Sequence, residues 1–268
     1  MTGTYLDKIV AAHREAARRD DRSLDSLLEH VRAMPRPQGF TDALRAGSSD
    51  ERIAVIAEVK RRSPSKGDID VHLDPAALAL AYERGGASCV SVLTDVEFFG
   101  GSADDLAAVR AAVATPVLRK DFTVSAQDVC DARLMGADAV LLIVAALDDH
   151  ELEAFHALAG DLGLDALVEV HDETELGRAA AVGATLIGVN QRDLVTFEVD
   201  TARAVRLAPL MPAGAVCVAE SGIRSPEDAK PLADAGYHAV LVGESLVRSA
   251  DPAVAVAELR TVAAEIDQ

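Results

Sequence analysis

The chain has 268 residues, half of them hydrophobic, and a formal charge of −18 from 26 basic and 44 acidic side chains. That length suits one α/β barrel of about 250 residues or two ordinary domains, and the negative field repels phosphate backbones, which argues against a nucleic-acid partner. Three widely spaced cysteines, Cys89, Cys130 and Cys217, form no CxxC pair, which argues against a disulfide framework or zinc ribbon and fits a reducing cytoplasm.

The N-terminal segment is charged and amphipathic and lacks the apolar h-region of a secretory signal. Residues 4–19 place Leu6, Ile9, Val10, His13 and Ala17 at helical spacing, with Thr4 able to cap the first turn. Residues 24–33 read as a second helix that follows Ser23 and ends before Pro35. Both are expected to pack as an extension, residues 1–47, on a single domain that spans residues 1–268; they are too short to stand alone.

From residue 53 short apolar runs alternate with Ala/Leu-rich helical stretches: IAVIAEVK (53–60), SCVSVL (88–93), PVLRK (116–120), AVLLIVA (139–145), ALVEV (166–170), LIGVN (186–190), AVCVAES (215–221) and AVLVGE ending at Glu244. Strands separated by helices pair in parallel, and nearly continuous apolar character marks strands covered on both faces. A repeat supports the pattern: RGGASCVSVL, LMGADAVLLI, AVGATLIGVN and DAGYHAVLVG each carry a Gly just before the next strand, where a helix can end in a left-handed conformation. Eight such units predict an α/β fold, a (β/α)8 TIM barrel with two extra N-terminal helices. The dinucleotide fingerprint GxGxxG of the open-sheet alternative is absent, and the longest apolar run, Ala139–Leu147, is too short to span a bilayer.

In such barrels chemistry sits at the C-terminal strand ends, and there the polar residues collect: Glu58 and Lys60, Lys120, Glu169, Asn190, and Glu220 with Ser221. Glu58 and Lys60 are two apart, so both point the same way along a strand. A structural salt bridge would explain that pair alone. With Lys120 and Glu169 on other strands, two lysines and two carboxylates can converge, the lysines lowering each other's pKa and the carboxylates restoring it.

Within residues 60–66, Lys60, Arg61, Arg62 and Lys66 form a basic cluster beside Ser63 and Pro64, suited to an anion. Phe98, Phe99 and Phe122 follow strands 2 and 3, as expected of walls for an apolar ligand face or of a plug between loops. Ser221-Gly222 and Gly243-Glu244-Ser245 follow strands 7 and 8, where barrels hold phosphate on backbone N–H groups. The seven histidines show no metal-ligand spacing such as HExxH, so no metal is expected, and His171 reads as a loop hydrogen-bonding residue.

The blocks IAEVKRRSPSKG, VLTDVEFFGGS, PVLRKDF, GADAVLLI, LVEVHDE, GVNQRDL, AESGI and VGESL, in order over nearly the whole chain, resemble indole-3-glycerol phosphate synthase. The resemblance implies closure of the pyrrole ring of 1-(2-carboxyphenylamino)-1-deoxyribulose 5-phosphate, with loss of carbon dioxide and water, and no cofactor. It implies Lys120 as the general acid on the ketone, Lys60 as the second lysine, Glu169 as the carboxylate of the later proton transfers and Glu58 as their support. Asn190 and Glu220 would surround the ribulose chain, and Ser63 and Arg192 the ring carboxylate. Pro64, Phe99 and Phe122 would wall the ring; Ser221, Gly222, Gly243, Glu244 and Ser245 would hold the phosphate. Gln191 departs from the Asn or Ser of many members. The expected partner is a small sugar phosphate, with no nucleic acid or membrane, and the expected state is a monomer or weak homo-oligomer in the cytoplasm. A ketosugar-phosphate isomerase and a catalytically silent paralogue are the alternatives. Against the first, no Asp/Cys or paired-Asp mouth is evident; against the second, Glu58, Lys60, Lys120 and Glu169 are all retained.

Overall fold

The computed structural model describes residues 4–193 and 195–261. Eight parallel strands close into a barrel in chain order: β1 (Ala54–Val59), β2 (Cys89–Leu93), β3 (Val117–Lys120), β4 (Ala139–Ile143), β5 (Asp165–Val170), β6 (Leu186–Asn190), β7 (Val216–Glu220) and β8 (Ala239–Val242). Closure is direct, because β1 pairs with β2 through Ile56 and Cys89 and with β8 through Ala57 and Val242.

Three helices precede the barrel, α1 (Tyr5–Arg19), α2 (Leu24–Arg32) and α3 (Phe40–Gly47). Around it follow α4 (Pro75–Arg84), α5 (Ala103–Ala112), α6 (Ala126–Leu134), α7 (Asp149–Asp161), α8 (Glu173–Ala181), α9 (Arg203–Leu207), α10 (Pro226–Asp234), α11 (Glu244–Val247) and α12 (Pro252–Leu259). Thr4 caps α1 in a reciprocal box with Asp7, as the spacing predicts. The four repeat glycines, Gly86, Gly136, Gly183 and Gly236, have φ of 84°, 87°, 74° and 93°, so each helix does end through the left-handed region that a side chain would strain.

Strand alternation divides the core in two. Val55, Ala57, Val90, Val92, Val140, Val168 and Ile187 face outward against the helices. Ala54, Ile56, Cys89, Leu118, Leu141, Leu167, Leu186, Val218 and Leu241 face inward and fill the barrel. The predicted runs outlast the strands by a residue or two where the chain turns into the mouth. Val144–Ala146 is a 3-10 turn, and Gly243, at φ −122° and ψ −74°, leaves the extended region to begin α11.

Beyond the two expected N-terminal helices stands a third. Phe40 and Leu44 of α3 are fully buried with the inward strand residues Ala54 and Cys89. The segment is fastened by Asp138 Oδ1 accepting from the Gln38 N–H at 2.7 Å and Asp165 Oδ2 from the Thr41 N–H at 2.9 Å. Both acids stand at the start of their strands, so α3 plugs the N-terminal end and leaves the opposite end open. α2 packs Leu27 and Val31 against Cys130 of α6. Replacing the plug residue, Phe40→Ala, is expected to cost about 3–5 kcal/mol, seen as a lower urea midpoint; an unchanged midpoint would show that α3 contributes no packing.

Candidate active site

The parity that buries Ile56 inside the barrel also places Glu58 there, and Leu118, Leu167 and Val218 do the same for Lys120, Glu169 and Glu220. The sixteen residues to which the resemblance gives catalytic or substrate-binding roles all line one cavity of about 580 Å³ at the C-terminal mouth, built from strand ends and the loops that follow them. Room for the charged groups comes from two inward glycines. A Cβ at Gly188 would lie 2.2 Å from Glu220 Oε1, and one at Gly243 would lie 2.4 Å from Glu58 Oε1 and 3.1 Å from Lys60 Nζ.

Lys120 Nζ donates to Glu169 Oε2 at 2.8 Å and pairs with Glu220 Oε2 at 3.2 Å. Asn190 Nδ2 donates to the other Glu169 oxygen at 3.1 Å, while Asn190 Oδ1 accepts the Arg192 N–H at 3.0 Å. Lys60 Nζ donates to Glu58 Oε1. Burial opposes the charge on Lys120, but Glu169, Glu220 and Glu58 outweigh it, so its pKa is raised; of the two influences expected at this lysine, the carboxylates prevail. Burial pushes Glu169 upward, yet Lys120, His171 and the Asn190 hydrogen bond hold it below the usual carboxylate range. Glu220 goes the other way: burial raises it, and repulsion from Glu169 and Glu58 adds to what Lys120 only partly offsets. Its Oε1 has no hydrogen-bond partner among the described residues.

Ser221, Gly222, Gly243, Glu244 and Ser245 line the same cavity. Ser221 and Gly222 both have positive φ, 67° and 80°, which bends the chain sharply after β7. Gly243 begins α11, and no side chain caps that helix, so its first N–H groups are open to an anion. On the apolar side Phe99 and Phe122 stand with ring centroids 6.2 Å apart beside Pro64. Phe98 turns away and packs edge-on to Tyr5 at 6.0 Å.

The basic cluster divides. Arg61 pairs with Asp105 at 2.8 Å and donates to the Leu73 carbonyl at 2.9 Å. Arg62 donates to the carbonyls of Val96 and Glu97, tying the loop after β1 to the loop after β2. Only Lys60 and Lys66 of the four line the cavity. His171 hydrogen-bonds Glu175 at 2.9 Å, the loop role expected of it, and also lies 3.6 Å from Glu169.

Sequence reasoning missed a group of lining residues: Tyr5, Leu6 and Ile9 of α1, Asp95 and Asp121 after β2 and β3, and Arg224 and Arg248 near the open helix end. Signals existed for some. Asp121 is next to Lys120, and Arg248 lies one helical turn beyond Glu244, at 3.6 Å from it.

The family model for indole-3-glycerol phosphate synthase matches residues 6–259. The indole-3-glycerol phosphate synthase of Parafrankia sp. is 52% identical over 246 residues, 92% of this chain and 90% of its own. That of Mycolicibacterium vanbaalenii is 51% identical over 265 residues, 98% and 96% of the two chains, and that of Nocardioides sp. 52% identical over 261 residues, 97% and 99%. Among solved structures, a thiamine phosphate pyrophosphorylase from Pyrococcus furiosus superposes with TM-score 0.60 at 16% identity, covering 81% of this chain and 95% of that one, a likeness of fold alone.

The Lys120–Glu169 pair has a pH signature. A lowered Glu169 pKa contributes stability present above the unfolded carboxylate value of about 4.3, lost as pH falls through the folded value. In Lys120→Met the depressing charge is gone, burial dominates, and an ionised Glu169 becomes a cost that protonation relieves. The variant should be less stable than the parent by about 3–5 kcal/mol at pH 8, with the gap narrowing toward pH 5. Denaturation midpoints across that range read it; a gap of constant size would mean that Glu169 is not held ionised by Lys120.

Proposed function

The chain belongs to the indole-3-glycerol phosphate synthase family and so closes the pyrrole ring of 1-(2-carboxyphenylamino)-1-deoxyribulose 5-phosphate in tryptophan biosynthesis; on that premise we propose how its cavity divides the work. The observation that carries the proposal is Lys120 lodged between Glu169 and Glu220, in the same cavity as the Lys60–Glu58 pair.

The phosphate sits against Ser221, Gly222, Gly243, Glu244 and Ser245, where the open end of α11 and the bend after β7 turn N–H groups inward, with Arg224 and Arg248 adding positive charge. The aromatic ring lies between Pro64, Phe99 and Phe122, its carboxylate met by Ser63 and Arg192. Glu244 serves through its backbone N–H.

Ring closure needs a proton on the ketone oxygen as the carbon–carbon bond forms. Lys120 is charged and already aimed by Glu169, so it is the acid for this step. Loss of carbon dioxide restores the aromatic ring, and the hydroxyl then leaves as water with a proton from Lys60, which Glu58 orients. Glu169 takes the balancing proton. The two roles are linked: once Lys120 has given up its proton, the charge that depresses Glu169 is gone and its basicity recovers. Asn190 holds Glu169 in place, and Glu220 lends Lys120 a second partner beside the ribulose chain.

Every proton in this scheme moves through a side chain of the chain itself, so it calls for no cofactor or metal. A single working domain acting as a monomer or weak homo-oligomer completes the proposal. A cytoplasmic location suits the three free, buried cysteines, and no helix among the described residues is long and apolar enough to cross a membrane.

Exchange of Lys120 for Ala should lower kcat by about 10²–10⁴-fold with the far-ultraviolet circular dichroism of the barrel retained. Indole fluorescence from the carboxyphenylamino substrate measures it, and near-normal turnover would remove Lys120 from the mechanism.

A further inference from the structure

Helix α1 lies across the mouth, and one of its polar ties reaches both loops that carry the aromatic wall. His13 Nε2 is 2.9 Å from Asp95 Oδ2 and 3.8 Å from Asp121 Oδ1. The other Asp95 oxygen accepts the N–H groups of Phe98 and Phe99 at 2.6 and 2.8 Å. Asp121 Oδ1 accepts the Phe122 N–H at 2.8 Å, and its Oδ2 pairs with Arg119 at 3.0 Å. The His13 ring also tilts against Phe122, centroids 5.3 Å apart. One imidazole therefore joins α1 to both segments that present Phe99 and Phe122. The same three side chains lie close enough to hold a metal ion, but their oxygens already serve peptide N–H groups and Arg119, so a hydrogen-bonded ion cluster is the better description.

We infer that His13 is a positioning residue for the aromatic half of the site: charged, it latches α1 and the Phe99 and Phe122 loops into one closed mouth, and neutral, it releases them. The inference rests on the reading of that wall as the seat of the substrate's ring. Burial works against the charge, but the facing carboxylates of Asp95, Asp121 and Asp128 outweigh it and raise the His13 pKa. Arg119, bonded to Asp121, is the cation on the β3 side, and Arg14, the next residue on α1, is held by Glu151 and the Ala146 carbonyl. With a raised folded pKa, the latch is complete below about 6.5, the ordinary histidine value, and is lost as pH climbs through the folded value. The Arg14 tie does not titrate in this range, so α1 stays attached while the aromatic wall loosens.

Steady-state KM and kcat for the carboxyphenylamino substrate, measured from pH 6 to 9, test this in three proteins. In the parent enzyme KM should rise about fivefold to tenfold across the His13 transition. His13→Gln is uncharged at every pH, so it should lose that step and sit near the high-pH KM. His13→Leu should show the high-pH KM throughout. In each, kcat should move less than KM, because Lys120 is untouched. A parent without turnover would overturn the substrate reading; a turning-over parent whose KM step persists in His13→Gln would overturn the latch alone. Should His13→Leu fail to fold, NMR titration of the His13 ring in the parent decides. Saturating indole-3-glycerol phosphate must raise its midpoint further, by reciprocity of linkage, and an unmoved midpoint sinks the inference.

Discussion

The constraint on which the rest depends is the burial of one ammonium group between two carboxylates at the barrel mouth. Lys120 meets Glu169 at 2.8 Å and Glu220 at 3.2 Å, with side chains only 13%, 2% and 3% exposed. Removing charges from water is costly, and a lone buried ion would shed its charge. Two carboxylates against one cation leave an excess negative charge, which favours the protonated form of one of them. The surroundings choose which. Asn190 donates to Glu169 and favours its ionised form, whereas Glu220 Oε1 faces the gap above Gly188 without a donor among the described residues. The pKa of Lys120 is thereby raised, that of Glu169 lowered and that of Glu220 raised to about 7, a group of three proton carriers whose affinities are set apart by their neighbours.

That group can exist only where the barrel interior has been left partly empty. Toward the N-terminal end Phe40, Leu44, Ile56 and Leu118 fill the space. Toward the mouth the inward positions include Gly188 on β6 and Gly243 just past β8, and their missing side chains are the volume that Glu220, Glu58 and Lys60 occupy. Stability is thereby concentrated at one end and chemistry at the other. The plug, α3, and the helix across the mouth, α1, come from the same short stretch of chain and serve opposite ends of the barrel.

Much of this was legible before any coordinates. Barrel chemistry sits at the C-terminal strand ends, and polar residues ending otherwise apolar strands pointed to Glu58, Lys120, Glu169 and Glu220. The glycine repeat located the helix ends on equally local grounds. What escaped depends on contacts between distant segments. The stripe Leu6, Ile9, Val10 says that one face of α1 is covered, but not that the cover is a cavity mouth. His13 and Asp95 stand 82 residues apart, and nothing in either neighbourhood announces the other. α3 carries little local signal, since FTDALRAG is short and follows two prolines, and its burial comes from the barrel end it closes. The basic run after β1 misled in part, since composition cannot reveal that Arg61 and Arg62 are spent on Asp105 and on the carbonyls of the β2 loop.

The charge distribution completes the physical picture. The protein carries −18 overall, yet the cavity wall sets Lys60, Lys66, Lys120, Arg192, Arg224 and Arg248 against Glu58, Asp95, Asp121, Glu169, Glu220 and Glu244, a formal balance of zero. The raised Glu220 pKa tips that balance toward positive inside a strongly negative body. Field lines concentrate in a cleft with low-dielectric walls, so an anion that would be repelled elsewhere on the surface is favoured here. Within that wall Lys60 and Lys120 are paired with the carboxylates of Glu58, Glu169 and Glu220. The acid groups are thereby kept from acting as simple anion traps. In the proposed mechanism they meet the ketone and hydroxyl oxygens, where a proton rather than a charge is what the reaction lacks.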